Sequence, residues 1–280
     1  MQIREMRPDD FDFALSLTSA EGWMSTSLDF QEILANDPHG SFVGEHDGER
    51  IGMVCTVAYE RFGFVGNLIV LPAWRGDGLG EQLMVHAMNY LEARGIGTQM
   101  LDGVEMAVSL YEKLGFRKRF KSLRLEGRVE GQEIEGIESI AHGDLRELVG
   151  YDLPCFGSDR RVFLETRLTN FPSLCKIARD EEGGILGYMM GSESGEFTRI
   201  GPWVVTGGTE VAESLLRSFA ASAGDCLLKI GVLENNSKAL DLLHRHGFAQ
   251  TSFSWRMSTT PDDEWTCSQH LYAICSPARG

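Results

Sequence analysis

Apolar residues recur along this chain with two periods, and the switch from one to the other predicts most of its elements. Ile3-Arg4-Glu5-Met6 reads as a short strand, and Pro8 to Ala20 as a helix opened by a proline and two acids. Ser27 to Asp37 is a second helix, with Ser27 as its cap. Residues 41–60 read as a β-hairpin that turns at Asp47-Gly48. Phe64 to Pro72 is a further strand. From Leu79 to Arg94 the period lengthens: Leu83, Met84, Ala87, Met88 and Leu91 share one helical face, and Gly95 ends it. A strand near Thr98–Gly103, a helix near Ala107–Gly115 and a strand pair across Phe116–Glu126 follow.

The pattern then repeats. LYEKLGF (110–116) returns as LLHRHGF (242–248), RIGMV (50–54) as ILGYM (185–189), and LIVLPAW (68–74) loosely as PWVVTGG (202–208). Similar offsets in the same order indicate duplication of a unit of about 130 residues. The Gly- and Glu-rich stretch 126–138 is the natural seam, which places the domains at 1–130 and 131–280. Each is expected to be an α/β unit, a sheet flanked by helices.

Composition narrows the class. No apolar run reaches the roughly 18 residues of a membrane span, and the opening residues lack the apolar core of a secretory signal. Six scattered cysteines (55, 155, 175, 226, 267 and 275), with no CxxC pair, fit reduced thiols and a cytoplasmic protein. The histidines form no HExxH, and His244-x-His246 reads as a solvated helix end, so no metal is expected. Lys and Arg number 26 against 41 Asp and Glu, a net charge of −15 spread over both halves. That excess argues against a nucleic-acid partner, whose phosphates demand a basic face. It would attract an amine-bearing small molecule, although solubility accounts for it equally well.

The stretch RGDGLG, Arg75 to Gly80, joins the strand at 64–72 to the helix at 79–94. A dinucleotide fingerprint needs a third glycine where Glu81 stands, and its carboxylate would face a pyrophosphate. A Walker loop is absent, and an adhesion-type RGD has no use in a chain without an export signal. The remaining functional reading is a phosphate cradle of another kind. Gly76, Gly78 and Gly80 would clear side chains from the backbone N–H groups, the helix adds its positive end, and Arg75 adds a guanidinium. The plain alternative is a structural turn that needs glycine only for its φ angles.

Arg75-x-x-Gly78-x-Gly80, led by IVLPAW, resembles the motif [RQ]xxGx[GA] of the GNAT N-acetyltransferase superfamily. AVSLYEKLGF (107–116) is similar to that family's second motif. The resemblance implies that the turn Arg75, Gly76, Asp77, Gly78, Leu79 and Gly80 holds the pyrophosphate of acetyl-CoA. It also implies that the strand at Leu68, Ile69 and Val70 binds the pantetheine arm and polarises the acetyl carbonyl. Tyr111 falls where the family places a general acid for the departing thiolate. Glu60 falls where many members keep a base for the amine proton, with Glu21 and Asp102 as rivals. Val104 departs from the pattern, since the family often has Asn there. The basic run RKRFKSLR (117–124) is either a CoA 3′-phosphate contact or an exposed strand face. Trp23 lines a substrate pocket or is core.

In the second half VVTGGTEVAESLL (204–216) lacks the arginine, and Leu243 replaces the tyrosine, while Asn236 and Ala239 persist. A degenerate copy that completes or gates the cleft is expected, with Tyr151, Asp159 and Arg160 as candidates. The whole resembles YitH-type proteins: two tandem GNAT-like domains, each a mixed, mostly antiparallel sheet flanked by helices. The implied function is acetyl transfer from acetyl-CoA to a small-molecule amine by direct attack, in a monomer or homodimer. The rival is a non-catalytic acyl-CoA-binding module.

Overall fold

The computed structural model describes residues 2–260 and 269–280, so Cys267 lies outside the described residues. The chain forms two compact units. Unit 1 comprises Met1–Arg119, Arg256–Pro261 and Ala278–Gly280, and unit 2 comprises Phe120–Trp255 and Asp262–Pro277.

Unit 1 runs β1 (Gln2–Glu5), α1 (Phe11–Ala20), α2 (Ser27–Asn36), β2 (Ser41–His46), β3 (Glu49–Ala58), β4 (Gly63–Val70), α3 (Leu79–Ala93), β5 (Gln99–Gly103) and α4 (Val108–Lys113). Its sheet order is β1-β2-β3-β4-β5, with residues 256–258 beyond β5. The pairs from β1 to β4 are antiparallel, and β4 with β5 is parallel. The β2–β3 hairpin turns at Asp47 and Gly48, both left-handed (φ 49° and 81°), which that tight turn requires. Helix α2 is capped by Thr26 and not by Ser27. The Thr26 hydroxyl accepts from the Asp29 N–H, and the Asp29 carboxylate accepts from the Thr26 N–H at 2.8 Å, a reciprocal box that Ser27 has no partner to form. Helix α3 buries Leu83, Met84, Ala87 and Leu91 completely, whereas Met88 is half-buried. A Cβ at Gly63 would lie 2.5 Å from Leu91, so β4 and α3 meet face to face there. Each such leucine contributes about 1.5–3 kcal/mol by burial.

After α4 the chain forms one strand, β6 (Arg117–Gly127), where the sequence pattern suggested a pair. Then come β7 (Ile137–Ser139), α5 (Leu145–Phe156), α6 (Arg161–Asn170), β8 (Cys175–Arg179), β9 (Ile185–Ser194), β10 (Phe197–Val205), α7 (Thr209–Ala223), β11 (Leu227–Leu233), α8 (Ser237–Arg245), β12 (Ala249–Ser258) and β13 (Leu271–Ala273). The order in unit 2 is β7-β8-β9-β10-β11-β6-β12, with β13 paired to β10. Trp203, Phe219, Leu242, Leu243 and Tyr272 form its core with α7 and α8. This is a mixed sheet with flanking helices, twice over.

Both sheets carry the same irregularity. In unit 1, Cys55 pairs with Gly66 and Met53 with Ile69, so β4 holds one residue more than β3 across that interval. Asn67 sits inside this bulge with φ 52°. In unit 2, Gly191 pairs with Ile200 and Met189 with Trp203, the same surplus.

None of the five described cysteines is in a disulfide, and burial pushes the Cys55 thiol up to about 11. No helix among the described residues is long and apolar enough to cross a membrane. No group of His, Cys, Asp and Glu among them could hold a metal ion.

Candidate active site

The bulge determines what β4 can do. Before it, β4 pairs with β5 from Gly63↔Gln99 to Val65↔Leu101, and there the ladder stops. After it, Ile69 and Val70 still pair with β3, through Met53 and Gly52. Leu68–Val70 therefore keep a neighbour on one edge and have no β5 partner on the other. Main-chain groups on such an edge call for a partner that β5 does not supply.

The glycine turn stands at the head of this split. Gly76 and Gly78 are left-handed (φ 97° and 74°), and Gly78 opens α3. The first-turn N–H groups at Leu79, Gly80 and Glu81 lie ahead of the first intrahelical bond, which Gln82 donates to the Gly78 carbonyl at 3.1 Å. A Cβ on Gly76 or Gly78 would meet no atom within 4 Å. At Gly80 it would meet only Val70 at 3.8 Å and Leu110 at 3.9 Å. Those two distances bring the ends of β4, α3 and α4 to one place. Asp77 is exposed, and the Glu81 carboxylate is bound on both oxygens by the Lys113 ammonium at 2.6 and 2.7 Å. The Glu81 charge beside the turn is thus paired by a neighbour on α4. Open amides at a helix start, with the Glu81 charge paired, fit a diphosphate such as that of acetyl-CoA.

Arg75 does not extend over the turn. Its Nε donates to the Val70 carbonyl at 2.8 Å, and an Nη group pairs with Glu21, bracing the end of β4 against the segment between α1 and α2. Glu21 is therefore committed to an ion pair. Asp102 is too, since the Arg256 guanidinium binds it with both side chains buried.

Tyr111 projects from α4 onto β5: a Cβ on Gly103 would lie 2.8 Å from its ring carbons. The residue is 7% exposed, and its hydroxyl bonds to no other described residue. Burial pushes the phenol up to about 12, so it is protonated throughout the neutral range. Glu60 is exposed in the bend after β3. Gly63 to Asn67 spans roughly 13 Å of strand at 3.3 Å per residue, which separates the bend that carries Glu60 from the bulge. Trp23 is 36% exposed and the basic run 117–124 lies along β6. The sequence reading missed Asn67, whose left-handed φ is unusual for a side-chain-bearing residue and leaves no periodic signal.

In unit 2 the equivalent split is closed. The β10–β11 ladder ends at Ile200↔Ile230, and beyond it β13 pairs with β10 through Trp203↔Ala273 and Val204↔Leu271. The Ile274 N–H reaches the Gly231 carbonyl of β11 at 3.0 Å, and the Val205 N–H reaches His270 at 2.9 Å. Asn236 holds this plug: its Oδ1 caps α8 at Ala239, and its Nδ2 donates to the Leu271 carbonyl, each at 3.0 Å. Tyr151 bonds Leu186 and Thr206, Arg160 is buried against Asp152 and Tyr188, and Asp159 caps the Arg161 N–H. All three thus have hydrogen-bond partners within unit 2.

Comparison with known proteins agrees with this geometry. Residues 3–116 match the acetyltransferase (GNAT) family, and residues 148–273 match a second acetyltransferase (GNAT) domain. The chain belongs to the GNAT acetyltransferase family, with two such domains in tandem. Among its relatives, the uncharacterized N-acetyltransferase YitH of Bacillus subtilis is 23% identical across 95% of this chain and 94% of its own. The acetyltransferase SG1711 of Sodalis glossinidius is 30% identical over 48% of this chain and 99% of its own. The mycothiol acetyltransferase of Streptomyces avermitilis is 42% identical over 86 residues, 29% of this chain and only 28% of that protein. The solved structure of a candidate acetyltransferase from Pyrococcus horikoshii superposes with a TM-score of 0.84 at 23% identity, covering 100% of this chain and 95% of that one. It shares the fold.

Proposed function

We propose that unit 1 transfers the acetyl group of acetyl-CoA to an amine of a small molecule, by direct attack with both reactants held in the split between β4 and β5. The observation that carries this reading is the meeting of two features at one gap, the bare amides of Gly76–Gly80 and the edge of Leu68–Val70 that no β5 residue pairs, with the Tyr111 ring packed on the end of β5. Acetyl-CoA supplies the acetyl group as an activated thioester.

The chain's own residues do the rest. The N–H groups at the start of α3 hold the diphosphate, and the brace from Arg75 to Val70 keeps the strand end in register with them. Main-chain N–H groups of Leu68–Val70 align the acyl arm and draw charge onto the acetyl oxygen. Tyr111, kept protonated by burial, donates its proton toward the departing sulfur. Glu60, exposed beyond the strand, receives the ammonium proton through solvent. Confining both reactants this way removes up to roughly 7–11 kcal/mol of entropic barrier. The acidic surface favours cationic acceptors over anionic ones.

The test is a thiol-release assay with acetyl-CoA and a panel of polyamines, amino acids and amino sugars, beside calorimetry of acetyl-CoA binding. Turnover with at least one amine is expected. Binding without thiol release from any of them would turn the reading into an acyl-CoA sensor, and absence of binding would end it.

A further inference from the structure

Residues 278–280 belong to unit 1, although the chain reaches them only after crossing unit 2. Arg279 is 1% exposed, and α2 holds its guanidinium. One Nη donates to Asp29 Oδ1 at 2.8 Å, and the other donates to the Asp29 carbonyl at 3.1 Å and pairs with Glu32 at 2.7 Å. The Arg279 carbonyl accepts from the Tyr59 hydroxyl at 2.6 Å. Both backbone and side chain of this segment are therefore pinned.

They are pinned against the bulge. A Cβ on Gly66 would lie 2.5 Å from the Ala278 carbonyl oxygen and 2.6 Å from its Cα. Gly66 is the residue just ahead of Asn67, so the main chain of Ala278 is laid on β4 where the split begins. The side matters. Gly63 faces Leu91 of α3, and three residues further on Gly66 faces the opposite way. The same face carries Phe64 with the Arg256 guanidinium 5.0 Å from its ring, and Arg256 binds Asp102. Helix α3 packs on the Gly63 face of β4, which leaves the Gly66 face, where Ala278 stands, for an attacking group.

We propose that Ala278 and Arg279 form a wall of the acceptor site in unit 1, with Arg279 as the residue that positions it. This rests on the reading of unit 1 as an acetyl-CoA-dependent transferase. The wall keeps bulk water and branched or N-substituted amines from the acetyl group and admits a slender primary amine. A purely structural tie would change stability and leave acceptor choice alone, and that difference is measurable.

The experiment compares wild type, Arg279→Ala and Tyr59→Phe in the full chain. It records acetyl-CoA affinity by calorimetry, thiol release with water as the only acceptor, and kcat and KM with spermidine, benzylamine and N-methylbenzylamine. For Arg279→Ala we expect acetyl-CoA affinity within twofold of wild type, water-only thiol release at least fivefold faster, and use of N-methylbenzylamine relative to benzylamine raised at least threefold. Tyr59→Phe shifts the same readouts in the same direction by less. A folded Arg279→Ala protein with unchanged affinity, unchanged water-only release and an unchanged amine profile overturns the proposal. If Arg279→Ala does not fold, the same unchanged profile in Tyr59→Phe overturns it. A wild type that fails to bind acetyl-CoA sinks the transferase reading itself, and the wall falls with it.

Discussion

Unit 1 and unit 2 carry the same one-residue bulge at the same point of the same strand, yet the gap it opens meets two different ends. In unit 1 the edge of Leu68–Val70 is left without a strand beside it. In unit 2 the corresponding edge is paired by β13, and Asn236 fastens that strand through the Leu271 carbonyl. Backbone groups at a sheet edge will be satisfied one way or another. The copy that keeps its glycine turn leaves the edge open. The copy that lost the turn uses its own chain. The second half is thus a self-complemented version of the first.

Four measurements would break or sharpen this contrast. The largest effect is expected at Gly78: a glutamate there faces a left-handed φ of 74° and places a negative charge at the start of α3. Gly78→Glu should weaken acetyl-CoA binding at least a hundredfold, and the wild-type chain should bind one molecule per chain. A calorimetric stoichiometry of two would show that β13 does not occupy its split in solution. Next comes Tyr111→Phe, which should lower turnover ten- to a thousandfold while acetyl-CoA affinity stays within about twofold. Because burial holds the phenol up to about 12, a pH–rate limb near neutrality in the wild type should persist in this variant. Asn236→Ala removes a helix cap and the bond to β13 together, so denaturant unfolding should show a loss of about 1–3 kcal/mol. Acetyl-CoA affinity should not move. The smallest effect belongs to Gly80→Ala, whose new methyl meets Val70 and Leu110 at ordinary contact distances, with stability changed by less than about 0.5 kcal/mol and affinity nearly intact.

Local signals carried far in the sequence. The Asp47-Gly48 turn, the apolar face of α3 and the strand–glycine–helix junction at 67–80 all follow from neighbouring residues and stand in the structure as read. The duplicated order of elements was legible for the same reason. What escaped was whatever depends on residues distant in the chain. No periodicity marks the pairing of residues 256–258 beside β5, or the seating of Arg279 between Asp29 and Glu32. Thr26 won the cap of α2 from Ser27 through a reciprocal bond with Asp29, a choice that two adjacent hydroxyl residues leave open. At the site, the glycines were legible and the direction of Arg75 was not, because its acceptor is the Val70 carbonyl, a main-chain group that every residue has.

That unit 1 is assembled from three separate stretches has a consequence for how the protein is made. As the chain emerges from the ribosome, residues 1–119 come before Arg256, which binds the Asp102 carboxylate in the finished fold. The outer edge of β5 stays bare until residues 256–258 arrive, and Gly66 stays uncovered until Ala278 does. Early sealing of the first half, the usual order for tandem domains, is therefore denied to this one. Its nascent form is the stage at which a chaperone, or a misplaced strand from another chain, would find a foothold.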